Sequence, residues 1–167
     1  MSFGYISEVI STVAIVVSVI FLAVQIYQNT KVQKALVVDS LAKSIADINA
    51  PLTADPAIGI SISKALLNWN TSTAEDKARA HYFLFSFFKL TESAWFQREA
   101  GILSESQWKG WEAMGLYYFR SQAVQDHWWR MRGGAFSAKF HNDLVNNPRK
   151  IEIYSLDEII QMESERC

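Results

Sequence analysis

The sequence predicts an all-α protein in which an N-terminal transmembrane helix continues into a cytoplasmic helical bundle of about five to six helices. Three observations predict it. Residues Val9 to Tyr27 form an uncharged apolar run, helix start signals recur through the remaining chain, and no strand-like alternation is sustained there. The domains follow from these: residues 1–30 form a membrane anchor and residues 31–167 a cytoplasmic helical domain.

At 167 residues the chain has room for one compact domain beside the anchor. Half of the residues are apolar, and six Trp with ten Phe make the expected core unusually aromatic. The formal net charge of −1 supplies no basic field to neutralise phosphates, so nucleic acid is not an expected partner. The single cysteine, Cys167, leaves no intrachain disulfide to form and fits a reducing compartment.

The expected span is Glu8 to Gln28. Its uncharged stretch of nineteen residues, at 1.5 Å per residue, gives about 28 Å against a hydrocarbon core of about 30 Å. A buried core helix shares this composition. A cleaved signal peptide does not, because no basic residue precedes the run and no small-x-small site follows it. Residues 1–8 carry no Lys or Arg, whereas Lys31, Lys34 and Lys43 follow the span, which places the C-terminal side in the cytoplasm. Tyr5 and Tyr27 stand where an aromatic belt would put them. Membrane lipid is therefore the first expected partner.

One face of the span is small. Ser7, Ser11, Ala14 and Ser18 are spaced four, three and four residues apart and share a stripe, which Gln25 continues. Lipid provides no hydrophobic drive between helices, so close approach over small side chains is how they associate. The stripe reads as an interface with another membrane-protein subunit or with a second copy of the chain. A water-lined pore face and a merely tolerated run of small residues are the alternatives. The span has no His for an axial cofactor ligand and no charged residue for a proton relay.

Beyond the membrane, neither Gly nor Pro interrupts residues 5–50, so the first helix is expected to run on to about Asn49. Pro51 and the Asp55-Pro56 pair are expected to stop it and to open a short helix through Trp69. Thr73 with Asp76 forms a capping-box-like start for a long helix that ends near Gly101. Ser104 with Gln107 starts the next, which breaks near Ser121 and resumes as far as Gly133-Gly134. Ser137 starts a helix that stops at Asn146-Asn147-Pro148, and Ser155 with Glu158 caps a last short piece. Residues 81–96 carry seven aromatics and read as a helix apolar nearly all round, the buried middle of a bundle. Gly110 and Gly115 in the following helix point to close helix packing.

The chain carries little that reads as chemistry. His81, Glu92 and Glu99 fall near one face of the long helix, and Asp126, His127, His141 and Asp143 are further metal-ligand types. However, the Glu-x-x-His pairs of carboxylate-bridged bundles, the His-Glu-x-x-His motif and Cys-x-x-Cys are all absent. Glu92, among Phe88, Trp95 and Phe96, reads instead as a structural ion pair with Arg98, Arg120, Arg130 or Arg132, since a buried charge left unpaired is strongly disfavoured. Gly133-Gly134 lacks the Walker lysine and the dinucleotide-binding spacing, no Gly-x-Ser-x-Gly occurs, and Cys167 is a poor nucleophile. No cofactor, catalytic residue or metal site is assigned.

Three stretches, FLAVQIYQNTKV at the membrane exit, ESAWFQREAGILSESQW at 92–108, and HWW with the following FSAKF at 127–140, resemble a family of small bacterial single-span membrane proteins. Members have an N-terminal anchor, an aromatic helical domain and no assigned activity. The resemblance implies the same architecture and a bacterial inner-membrane location. It implies no reaction.

These readings lead to a non-catalytic structural or accessory subunit of an inner-membrane protein assembly. A membrane-anchored enzyme or ligand-binding domain and a small homo-oligomeric channel are the alternatives. The orientation has a direct test in the thiol of Cys167. An impermeant maleimide should leave it unlabelled in intact cells and label it after lysis; labelling before lysis would reverse the topology.

Overall fold

A computed structural model describes residues 3–149 together with residues 158, 161 and 162, the side chains of residues 3, 5, 6, 7 and 9 excepted. Six α-helices carry the described residues: α1 (Phe3–Ala54), α2 (Pro56–Leu67), α3 (Ala74–Glu99), α4 (Glu105–Phe119), a single turn α5 (Arg130–Arg132) and α6 (Ala138–Asn146). A π-helical segment, Val124–Trp129, precedes α5, and a 3-10 turn, Gly133–Ala135, follows it. No strand occurs among the described residues. The chain divides into two units, Met1–Asp39 and Ser40–Cys167.

In the first unit, every described side chain of α1 from Gly4 to Leu36 is exposed. Ile10, Ile15, Val19 and Ile26 each expose 60 % or more of their surface. Among the described residues this is the one helix long and apolar enough to cross a membrane. Three of its hydroxyls are satisfied along the helix. Thr12 donates to the Glu8 carbonyl at 2.9 Å, Ser18 to that of Ala14 at 2.8 Å and Thr30 to that of Ile26 at 2.8 Å. Back-bonding of this kind lets a hydroxyl stand in an apolar medium without a water partner.

In the second unit, α1 continues past its expected end. Pro51 lies inside the helix, which stops only after Ala54. A proline removes one helical N–H, but its neighbours can still pair, and the Asp55 N–H closes onto the Pro51 carbonyl at 3.0 Å. The actual stop is Asp55, held extended at φ −135°, ψ 101° as a residue before proline must be. Its carboxylate accepts from the Ala57 N–H at 3.0 Å and so caps α2, with Pro56 in the first turn. α2 ends at Leu67 rather than Trp69.

The remaining boundaries follow local chemistry. Thr73 and Asp76 complete a capping box at the start of α3, and Ser104 and Gln107 complete another at the start of α4. Ser137 caps α6 by accepting from the Phe140 N–H at 3.3 Å. At the end of α3, Gly101 takes φ 68°, its N–H reaches the Arg98 carbonyl at 2.8 Å, and the Ile102 N–H reaches that of Gln97 at 2.9 Å. This pair of reversed bonds needs a left-handed residue, which glycine adopts without a Cβ penalty. The piece expected from Ser155 lies largely outside the described residues.

The helix α3 forms the centre of this unit, packed against α2 and α4. It buries one wide face, carrying Ala80, Phe83, Leu84, Phe87, Phe88, Thr91, Glu92, Ala94 and Trp95. It is not apolar and buried all round as the composition implies, because Tyr82 is 71 % and Phe96 48 % exposed. The partners of α3 cover one side only, and these two aromatics stand on the other with Ser86 and Ser93.

On the buried side, Phe88 meets Trp128 at a ring-centroid distance of 5.6 Å and Trp129 at 5.0 Å, while Trp129 stacks on Phe136 at 5.0 Å. The π segment makes this possible. Its wider turn puts Val124, Trp128 and Trp129 on one side, and all three are buried. The two glycines flagged in α4 separate here. Gly115 is buried where a Cβ would come within 3.1 Å of Thr91 Cγ2, whereas Gly110 has open space around it.

Gly133 fits its place even more tightly. A Cβ there would stand 2.7 Å from Trp129 Nε1 and 3.0 Å from its Cδ1. The indole has no room to yield, being wedged between Phe88, Phe119 and Phe136. Gly133→Ala should therefore destabilise by about 1–3 kcal/mol through overpacking. Gly134→Ala, with nothing within 4 Å, should stay within about 0.5 kcal/mol. Equal melting temperatures for the two variants in detergent would contradict the packing described.

Candidate functional site

Two regions carry features beyond ordinary packing: the small face of α1 in the first unit, and the polar and aromatic side of α3 in the second. On α1, Ser11, Ala14, Ser18 and Gln25 are all exposed, and the helical period puts them on one stripe. Ser7 lies in the same helix with its side chain outside the described residues. The stripe presents little hydrogen-bonding drive of its own at Ser18, whose proton is committed to the Ala14 carbonyl. Ser11, Ala14 and Ser18 are also the small side chains of this stripe.

On α3, Glu92 is 7 % exposed and doubly held. One carboxylate oxygen accepts from Lys89 Nζ at 2.8 Å, the other from the backbone N–H of Ser137 at 2.6 Å. The cation is thus Lys89, one turn earlier on the same helix, and not Arg98, Arg120, Arg130 or Arg132. Arg98 instead contacts Glu99 at 3.2 Å and Glu105 at 2.9 Å. Lys89 also donates to the Ala135 carbonyl at 2.6 Å and sits 4.6 Å above the Phe136 ring. A short polar bridge therefore fastens α3 to the turn that starts α6. Burial pushes the Glu92 carboxyl up, but the Lys89 and Ser137 donors outweigh it and hold the group below its ordinary value.

The other ligand-type residues are dispersed among structural roles. His81 Nδ1 accepts from Trp128 Nε1 at 3.1 Å, the His127 ring lies parallel to Trp69 at 6.3 Å, and His141 stands 5.6 Å from Trp129. Asp143 accepts from Trp95 Nε1 at 3.0 Å, and Glu99 pairs with Arg98. Among the described residues, no three His, Cys, Asp or Glu side chains converge in a way that could hold a metal ion. Glu112, mostly buried, is bonded by Asn147 at 2.7 Å and by Arg149, which ties the end of α6 to α4. Tyr118 packs against Phe83 and Phe87, and burial, then the neighbouring Tyr117, pushes its hydroxyl up to about 12. It stays a neutral phenol at cellular pH.

One feature has no sequence signature. The end of α1, α2 and α3 enclose an open groove of ≈ 480 Å³, lined chiefly by Ile48, Leu52, Ile58, Ile62, Tyr82 and Phe83. Its residues come from three helices, so no single periodicity marks it; the exposed Tyr82 is its one local sign. Chemically, these arrangements pack, fasten and offer apolar surface.

Comparison of the chain with protein-family models, with curated proteins and with solved structures finds no match.

Removing Glu92 should be felt, though less than for a pair sealed from water. The Lys89 side chain is 40 % exposed, so its charge regains solvent when the carboxylate goes. The half-buried Ser137 N–H regains it only in part, and losing its charged acceptor in Glu92→Ala should cost about 1–3 kcal/mol. The lowered Glu92 value sets the sign with pH: its contribution is present above 4.5 and is lost as pH falls through the folded value. Thermal melts of wild type and variant in detergent should therefore converge in acid; a gap that is constant through that window would exclude this role.

Proposed function

We propose that the chain is a membrane-anchored accessory subunit, non-catalytic, that binds other membrane-protein subunits or a second copy of itself. The observation that carries the reading is the fully exposed apolar length of α1. Side chains such as Ile10, Ile15, Phe21 and Ile26, each about 60 % exposed or more, would each gain about 1.5–3 kcal/mol on full transfer from water to an apolar medium. A lipid bilayer supplies that medium. The lysines that follow, Lys31, Lys34 and Lys43, favour a cytoplasmic helical domain with the N-terminus outside. The resemblance to small bacterial single-span proteins supports an inner-membrane location.

Within that reading, Ser7, Ser11, Ala14, Ser18 and Gln25 form the contact face. A pore-lining role asks for hydroxyls that face water, and the back-bonded Ser18 supports an interface better. The apolar groove of the second unit favours one further reading, a membrane-anchored ligand-binding domain.

The contact face is tested by bulk. Ala14→Leu with Ser18→Leu keeps the helix apolar and should leave insertion intact, but it holds neighbouring backbones apart and should abolish association. Val13→Phe with Val16→Phe adds at least as much bulk on the far side and should have little effect. Chemical cross-linking and native electrophoresis in mild detergent read both outcomes. Unchanged partners in the small-face double variant would reduce the stripe to tolerated sequence and strengthen the ligand-binding reading.

A further inference from the structure

We infer that the hydrogen bond between Trp128 and His81 is a proton-operated latch that holds the π segment against α3. Trp128 is fully buried, so its indole N–H is shut off from water and costs stability unless the protein supplies an acceptor. That acceptor is His81 Nδ1 at 3.1 Å. A neutral imidazole can accept there only as the tautomer with its proton on Nε2. Adding a second proton turns Nδ1 into a donor, so two N–H groups then point at each other and the indole is orphaned. No rotation of the buried indole about its own bonds repairs this, because Phe88 and Phe136 pack against the Trp128 ring at 5.6 and 6.2 Å.

The surroundings resist that proton. His81 lies among the rings of Tyr82, Phe85 and Trp128. Burial, and then the positive charge of Arg132 from α5, hold it below its ordinary value of 6.5. Lys77 lies one turn earlier on α3, and the π segment itself carries Asp126 and His127, the latter paired with the Trp69 ring. A base whose folded value is depressed contributes stability that is present above 6.5 and is lost as pH falls through the folded value. The latch is therefore closed at neutral pH and opens as pH falls through the folded His81 value. Its location matters, because Trp128 joins the π segment to the aromatic face of α3, and the exposed Asp126, Arg130 and Met131 move with that segment.

The test follows the histidine rings and the Trp128 indole N–H by NMR in the full-length protein in detergent micelles, from about pH 8 to about pH 5. His81 should titrate below 6.5. The Trp128 indole N–H should shift and exchange with solvent about tenfold faster with the same midpoint. In His81→Asn, the side-chain amide oxygen stands where Nδ1 stood and still accepts from the indole but does not titrate, so the Trp128 signal should keep its neutral-pH position throughout. His127→Gln and His141→Gln should behave as wild type. A Trp128 signal in wild type that is flat across this range overturns the latch, as does one that titrates equally in His81→Asn. If His81→Asn does not fold, the wild-type titration decides by itself: midpoints for His81 and Trp128 that differ overturn the proposal, and a shared midpoint sustains it.

Discussion

The aromatic face of α3 sets the terms for every other helix in the Ser40–Cys167 unit. Phe83, Phe87, Phe88 and Trp95 are large, flat and stiff, so whatever covers them must present matching planes at fixed distances. That requirement explains several features that look unrelated. It calls for a glycine at position 115, where α4 passes close to Thr91, and for another at 133, where the Trp129 indole occupies the space of a side chain. It suits a π segment, because the wider turn brings Val124, Trp128 and Trp129 closer to one line than an α-turn would. The apolar excess in the composition is thus tied to backbone geometry.

An aromatic core of this kind carries polar atoms with it, and their pairing gives the unit its cross-links. A buried indole N–H left without an acceptor costs stability, and three of the buried tryptophans illustrate the range of outcomes. Trp95 reaches Asp143 on α6, Trp128 reaches His81 on α3, and Trp129 Nε1 is buried with no hydrogen-bond partner. An orphaned donor of this sort costs about 1–3 kcal/mol, and the stacked rings around Trp129 offset it. Glu92 works in the same way from the acceptor side, joining α3 to the first turn of α6 through the Ser137 N–H. His81, His127, Glu92, Glu112 and Asp143 all take part in contacts that hold helices together.

How much of this was legible depended on the range of the interaction. The caps at Thr73, Ser104 and Ser137 and the glycine at 101 are decided within a few residues, so the sequence alone locates the helices they bound. The apolar length of α1 is legible for the same reason. Pro51 was misleading because a proline near the end of a helix removes a bond that the last turn can do without. The partner of Glu92 was missed because arginines are the usual choice for buried pairs, while Lys89 reaches it by local helix geometry and Ser137 by tertiary contact. The π segment left no mark, since its residues are the same apolar and aromatic types that an α-helix would hold. The apolar groove left almost none, being assembled from three helices. The small stripe on α1 was plain in the periodicity; the identity of its occupant belongs to another chain or another copy, and no pattern in this sequence encodes it.

The π segment also fixes how the sequence can vary in length. A turn of this kind holds one residue more than an α-turn over the same distance. Deleting any single residue between Val124 and Trp129 would let the backbone close as ordinary helix, and every side chain beyond would swing by about 100° around the axis. Phe136 and the cap at Ser137 would then arrive on the wrong side of α3. The link from Asn68 to Thr71, between α2 and α3, obeys a looser rule: its exposed residues Asn70 and Thr71 can change in number, while Trp69 must still lie against His127. Related chains should therefore vary in length there more than between Val124 and Ser137, where the spacing stays constant even if the residues themselves change.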